Sequence, residues 1–169
     1  MRARSRTTNL RDTLLASSRA ALVVALLAAG PLAAEVTLTT QVQRVVTIDQ
    51  GTGAGMETLE AVTDVAAGDV VRYTIVFQND SEQDVAAGSV VITNPLPEGT
   101  VYVDGSATGE NTTIAFSVDG EAFGEPGLVP DATGTRPATA AEYRSIRWTY
   151  HPRLPAGASG EVSFDVRMR

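Results

Sequence analysis

Apolar residues return at every second position along much of this chain, the mark of extended strands with one face buried. The pattern is clearest where Val71, Tyr73, Ile75 and Phe77 alternate with Arg72, Thr74 and Gln78. It recurs at Val36, Leu38, Thr40 and Val42 and continues past Arg44 through Val46 and Ile48, which predicts one long first strand or two short ones over 36–48. Further strands are predicted through Val90 and Ile92, from Val101 and Val103, over Thr112, Ile114, Phe116 and Val118, over Ile146, Trp148 and Tyr150, and over Val162, Phe164, Val166 and Met168. Residues 58–67 fit a strand less well, because Val62 falls on the face opposite Leu59, Ala61, Thr63 and Val65. No stretch after residue 34 keeps an apolar stripe at helical spacing over three turns.

Turn residues punctuate these segments. Asn79-Asp80-Ser81-Glu82-Gln83-Asp84 is a polar run whose short side chains close turns on their own backbone. In Thr93-Asn94-Pro95-Leu96-Pro97-Glu98-Gly99 two prolines remove ladder donors and the glycine admits positive φ, so the preceding strand must end there. Gln50 to Gly55 reads as a flexible glycine-rich connector, Asp119-Gly120 as a type I′ hairpin turn, and residues 124–141 as a long loop. Short strands with turns every 8 to 14 residues predict an all-β antiparallel sandwich of about seven to nine strands.

Three short motifs give that sandwich a family likeness. Tyr73-x-Ile75-x-Phe77-x-Asn79, then Val91-x-Thr93-Asn94-x-Leu96-Pro97-x-Gly99, then Tyr102-Val103-x-Gly105-Ser106 resemble the bacterial surface-repeat family called domain of unknown function eleven. The likeness spans roughly residues 60–169 and implies an immunoglobulin-like β-sandwich. The family has no established catalytic residues to carry over. Asn94 stands where the family usually has Asp, and modules that usually occur in tandem within anchored proteins are represented here by one copy without an anchor.

The first 34 residues have a different character. Arg2, Arg4, Arg6, Arg11 and Arg19 precede or flank a short apolar run from Ala20 to Ala29, followed by the small residues of Pro31-Leu32-Ala33-Ala34. This is the layout of a helical secretory signal with a small-residue cleavage site before Glu35, an uncleaved interfacial helix or an organelle transit peptide being the alternative, and its apolar run is too short to span a bilayer. The chain therefore divides into a signal at 1–34, an N-terminal strand and connector at 35–57, and a sandwich domain at 58–169. Export to the periplasm, cell surface or medium follows. Stable membrane insertion after cleavage does not.

Charge and cysteine content narrow the function. Residues 35–169 hold 8 Arg against 19 Asp and Glu, a formal charge of −11, compared with −7 for the whole chain, and lysine is absent. Such a surface repels nucleic acid. With no cysteine, the fold has no disulfide, thiolate metal site or cysteine nucleophile, and core packing must hold it together.

Each pattern that could carry chemistry has a plainer structural reading beside it. Gly51-x-Gly53-x-Gly55 lacks the spacing and following helix of a phosphate loop and reads as a linker. His151, the only histidine, sits beside Pro152 at a strand end and reads as an edge or turn position rather than a triad base, and a zinc site fails for want of ligands with one His and no Cys. Asp80, Glu82 and Asp84, with Asn79 beside them and Asp104 and Asp119 in other loops, are oxygen donors suited to calcium, the one cofactor the sequence suggests, but their spacing does not match the EF-hand pattern and solvated turns are the plainer reading. Tyr102, Tyr143, Trp148 and Tyr150 suggest a sugar-stacking face, although Trp148 keeps phase with Ile146 and so belongs with a core.

No catalytic residues are predicted, and the chain is not expected to be an enzyme. The first reading is a noncatalytic exported structural or adhesion module in contact with envelope or cell-surface proteins, or with itself through an edge strand, for which 36–48 is the candidate. A carbohydrate- or calcium-dependent binding module is the alternative.

Overall fold

The computed structural model describes residues 35–49 and 55–169. The predicted signal, and most of the glycine-rich connector, lie outside the described residues. Nine strands run through the described chain: β1 Val36–Asp49, β2 Gly55–Ala61, β3 Val70–Asn79, β4 Val90–Pro95, β5 Thr100–Tyr102, β6 Thr108–Gly109, β7 Thr112–Ser117, β8 Ser145–Tyr150 and β9 Ser159–Met168. They form two antiparallel sheets. The larger has the order β2-β1-β3-β9-β5, with β6 also on β9, and the smaller has the order β4-β8-β7.

The alternation read in the sequence is the alternation seen across the sheets. Val71, Ile75 and Phe77 of β3 and Val162, Phe164 and Val166 of β9 turn inward, against Ile92 of β4, Phe116 of β7 and Ile146 and Trp148 of β8. Trp148 and Phe164 are fully enclosed and lie 5.8 Å apart between ring centres. Tyr102, Phe116 and Tyr143 make a second aromatic knot with centroid separations of 4.5 to 6.2 Å. Aromatic clusters of this kind bury large areas and favour tilted or offset rings. Gly160, opposite Phe77 in register, makes room for that ring; a Cβ there would overlap it.

The sequence motifs prove to be structural hinges. Asn79 is fully buried at the end of β3, where its amide donates to the carbonyls of Gln83 at 2.7 Å and of Leu154 and Pro155, each at 3.1 Å. It thereby ties the 80–84 loop to the segment before β9. The Tyr102 hydroxyl accepts from the Ala107 amide at 2.9 Å, and Ser106 donates to Val103 carbonyl, closing the turn after β5.

Several elements differ from their sequence reading. β2 starts at Gly55 and ends at Ala61, six residues short of the predicted limit at 67, because its ladder to β1 stops at Gln43↔Ala61. β2 and β3 lie on opposite flanks of β1, so residues 62–69 must cross it and cannot continue the strand. Asp119-Gly120 is not a type I′ turn. That turn needs positive φ at both residues, and only Gly120 has it, at 84°. Asp119 instead accepts from the amides of Glu121 and Ala122 through Oδ1, an Asx arrangement, and the chain returns to Phe116 only at the isolated bridge with Gly124. The 124–141 loop has internal order: Val129 is buried, Pro130 bridges Pro137, and the Asp131 carboxylate accepts from Thr133 and Thr135 amides. Residues 36–49, set apart from the sandwich by the sequence divisions, form the strand next to β3 in its larger sheet.

Candidate functional site

The loop that offered calcium ligands is held by protein partners. Asp84 Oδ2 pairs with Arg153 at 3.1 Å and its Oδ1 accepts from the Ala156 amide at 3.0 Å, while Asp80 accepts from the Thr37 hydroxyl. Asp80, Glu82 and Asp84 are not brought together, and no group of three or more His, Cys, Asp or Glu side chains able to hold a metal ion occurs among the described residues. Asp119 is a turn builder: the Glu121 amide, the Ser117 hydroxyl and the Ala122 amide hold its carboxyl below the usual range. Asp104 stays in its own turn.

The aromatic candidates also have structural posts. Tyr102, Tyr143 and Trp148 are buried, and the Trp148 indole donates to the Thr108 carbonyl at 3.1 Å. They offer no flat surface to a sugar. Tyr150 is only partly covered and meets Phe77 edge-on. His151 Nε2 lies 2.6 Å from the Thr113 hydroxyl at the surface, with no carboxylate hydrogen-bonded to its ring. Phe77, Glu110, Tyr150 and Glu161 are among the residues that line one surface depression.

The feature that lacks an internal partner is the long first strand. Contacts between Tyr102 and Phe116, and between Trp148 and Phe164, set β7 over β5 and β8 over β9. β4, on the far side of β8, therefore lies toward β3, and no strand of the smaller sheet remains to cover β1 and β2. Leu38 pairs with Phe77 and Val42 with Tyr73, so both share the core-side face, yet they are 52% and 37% exposed. Ile48 and Met56, opposite one another, extend the same uncovered face at 44% and 54%. The Arg44–Glu60 pair at 3.0 Å crosses that face, and the Arg72–Asp165 pair, doubly bonded at 2.7 and 2.8 Å, braces the other. The Asp165 hydrogen bonds raise the Arg72 pKa.

One flank of β1 is also open. β3 runs along Val36 to Val45, whereas β2 covers only Gln43 to Asp49 on the opposite flank. The Asp80 amide donates to the Glu35 carbonyl across the β1–β3 seam. Since backbone groups alternate in direction along a strand, residues 37, 39, 41, 43 and 45 bond to β3. The N–H and C=O groups of Val36, Leu38, Thr40 and Val42 point to the other flank, where no strand lies among the described residues. This edge bears no charged side chain from Val36 to Gln43. The strand that the sequence offered for edge pairing, 36–48, is paired with β3 on one flank, and its first half is open on the other.

No family model matches the chain, and neither a curated protein nor a solved structure does. No helix among the described residues is long and apolar enough to cross a membrane.

Proposed function

We propose that this chain is a noncatalytic exported module of the immunoglobulin-like sandwich type, which makes protein–protein contacts in the bacterial envelope or at the cell surface. The observation that carries this reading is the open edge of β1 at Val36–Val42 beside an uncovered apolar face. Unpaired strand edges are sites for strand addition, and sandwiches that are meant to stay alone protect them with charge, proline or bulges. The first half of β1 has none of these. The Tyr73–Asn79 and Tyr102–Ser106 motifs support the family likeness, since each of them fixes a turn or strand end of the sandwich. The basic leader supports export, and the acidic remainder argues against nucleic acid as the partner.

The reading is tested in producing cells with a photoreactive residue in place of Thr40 or, as a control, in place of Leu128, which is 74% exposed in the 124–141 loop. A discrete cross-linked product from position 40 and none from 128 is expected. No product from position 40, or the same products from both positions, would overturn the reading.

A further inference from the structure

Resting on the contact reading above, we infer that the occupant of the open β1 edge is a second copy of this chain. Two β1 strands pair antiparallel about a two-fold axis, which joins the two large sheets into one. Three observations lead there.

The first is charge. Residues 35–169 carry a formal −11, so any face presenting carboxylates resists its own copy. The outer edge strand β2 holds Glu57 and Glu60, and β4 closes on Asn94-Pro95, a residue pair that blocks further pairing. The Val36–Gln43 segment is neutral, and self-pairing there opposes no like charges.

The second is register. Residues whose backbone groups face the edge must meet residues of the same kind, so Val36, Leu38, Thr40 and Val42 can pair only among themselves. β2 occupies the same flank down to Ala61, opposite Gln43, and Glu35 stays in line with β1 through its bond to Asp80. Setting Val36 opposite Val42 of the second copy would drive Glu35 into the place of Ala61. Setting Leu38 opposite Leu38 of the second copy places Val36 opposite Thr40 and stops Glu35 opposite Gln41, short of Ala61. This register makes about six backbone hydrogen bonds.

The third is what the register covers. Leu38, 52% exposed on the core-side face, meets its own copy at the axis. Val36 packs beside Thr40 on that face, and Thr37 beside Thr39 on the other. Such apolar and β-branched cross-strand pairs are the stabilising unit of a sheet.

The test uses the purified full protein, its N-terminus read by mass spectrometry, in sedimentation runs over a wide concentration range. A reversible dimer is expected. Thr40→Pro removes an edge-facing N–H without touching the β3 ladder, and Leu38→Glu sets two carboxylates together at the axis; each should weaken the dimer at least about tenfold. The chain has no cysteine, so Leu38→Cys introduces a single thiol. Opposed residues of a bonded antiparallel pair lie about 5.5 Å apart, within disulfide range. Mild oxidation should therefore link Leu38→Cys copies far faster than Val91→Cys copies, whose site on β4 is equally exposed at 51%. A monomer at every concentration, with Leu38→Cys linking no faster than Val91→Cys, overturns the inference. If that monomer still yields a position-40 adduct with another protein, the contact reading stands and only self-pairing falls; if it yields none, both fall.

Discussion

Trp148 shows how a single residue joins the two sheets. Its ring fills the centre of the core beside Phe164, and its indole N–H satisfies the Thr108 carbonyl, fastening β8 of the small sheet to the β6 edge of the large one. Trp148→Ala would leave a cavity that the neighbouring rings cannot collapse into and would orphan that carbonyl, a loss of about 3–5 kcal/mol in urea unfolding at constant slope. A loss under about 1 kcal/mol would mean the site repacks and the ring is not the centre of the fold. Glu142 makes a different residue-scale prediction. The Arg136 guanidinium, bonded to both carboxylate oxygens at 2.8 Å, and the Thr139 amide and hydroxyl lower its pKa to about 2. Its folded pKa lies below the unfolded value, so its contribution is complete above about pH 4.5 and is lost as pH falls toward 2. The Tm difference between the protein and Glu142→Gln should accordingly be constant above pH 5 and close between pH 4.5 and 2. A gap that widened on acidification would contradict the assignment. Asp119 and Asp131, both also held below the usual carboxylate range, add to the same acid-side loss and remain in the variant.

At the scale of elements, β1 makes a claim that hydrogen exchange can read residue by residue. Amides at 37, 39, 41, 43 and 45 donate to β3, while those at 36, 38, 40 and 42 face the open flank. In dilute solution, slow and fast exchange should alternate along Thr37 to Val42, and the fast set should slow as concentration rises. Uniformly slow exchange in dilute solution would show that something within the chain covers the edge. The sequence made β1 legible as a strand, because Val36, Leu38 and Val42 alternate; the same alternation made β3, β4, β7, β8 and β9 legible. What alternation cannot show is which flank of a strand is paired. Leu38 and Val42 look like core residues in one dimension, and they are exposed only because the small sheet ends at β4. β6 escaped notice since two residues, Thr108 and Gly109, carry no periodicity. The turn at Asp119 was misread because Asp-Gly suits two turn geometries, and the choice depends on where the Gly124 bridge pulls the chain. The oxygen-rich loop after Asn79 showed its donors in sequence, but not that Arg153, Ala156 and Thr37, distant along the chain, engage two of its carboxylates.

For the molecule as a whole, the balance between a neutral seam and an acidic body fixes the sign of a salt effect. Two copies that each carry −11 over residues 35–169 repel as they approach. At low ionic strength that repulsion reaches about 30 Å, but at 1 M salt it fades within about 3 Å. The seam itself consists of backbone hydrogen bonds and Val, Leu and Thr contacts, so salt removes the opposing term and leaves the favourable one almost untouched. Self-association should therefore tighten as sodium chloride rises from 10 mM to about 0.5 M, the reverse of an interface built on ion pairs or on phosphate contacts. Sedimentation at several salt concentrations measures this directly. Leu38→Glu should be the most salt-sensitive variant, since it adds a close carboxylate pair to the distant repulsion, and Thr40→Pro should stay weak at every salt because its defect is a missing donor. A dimer that dissociated on adding salt would place the contact on charged residues such as Arg44 or Arg72 and away from the neutral edge of β1.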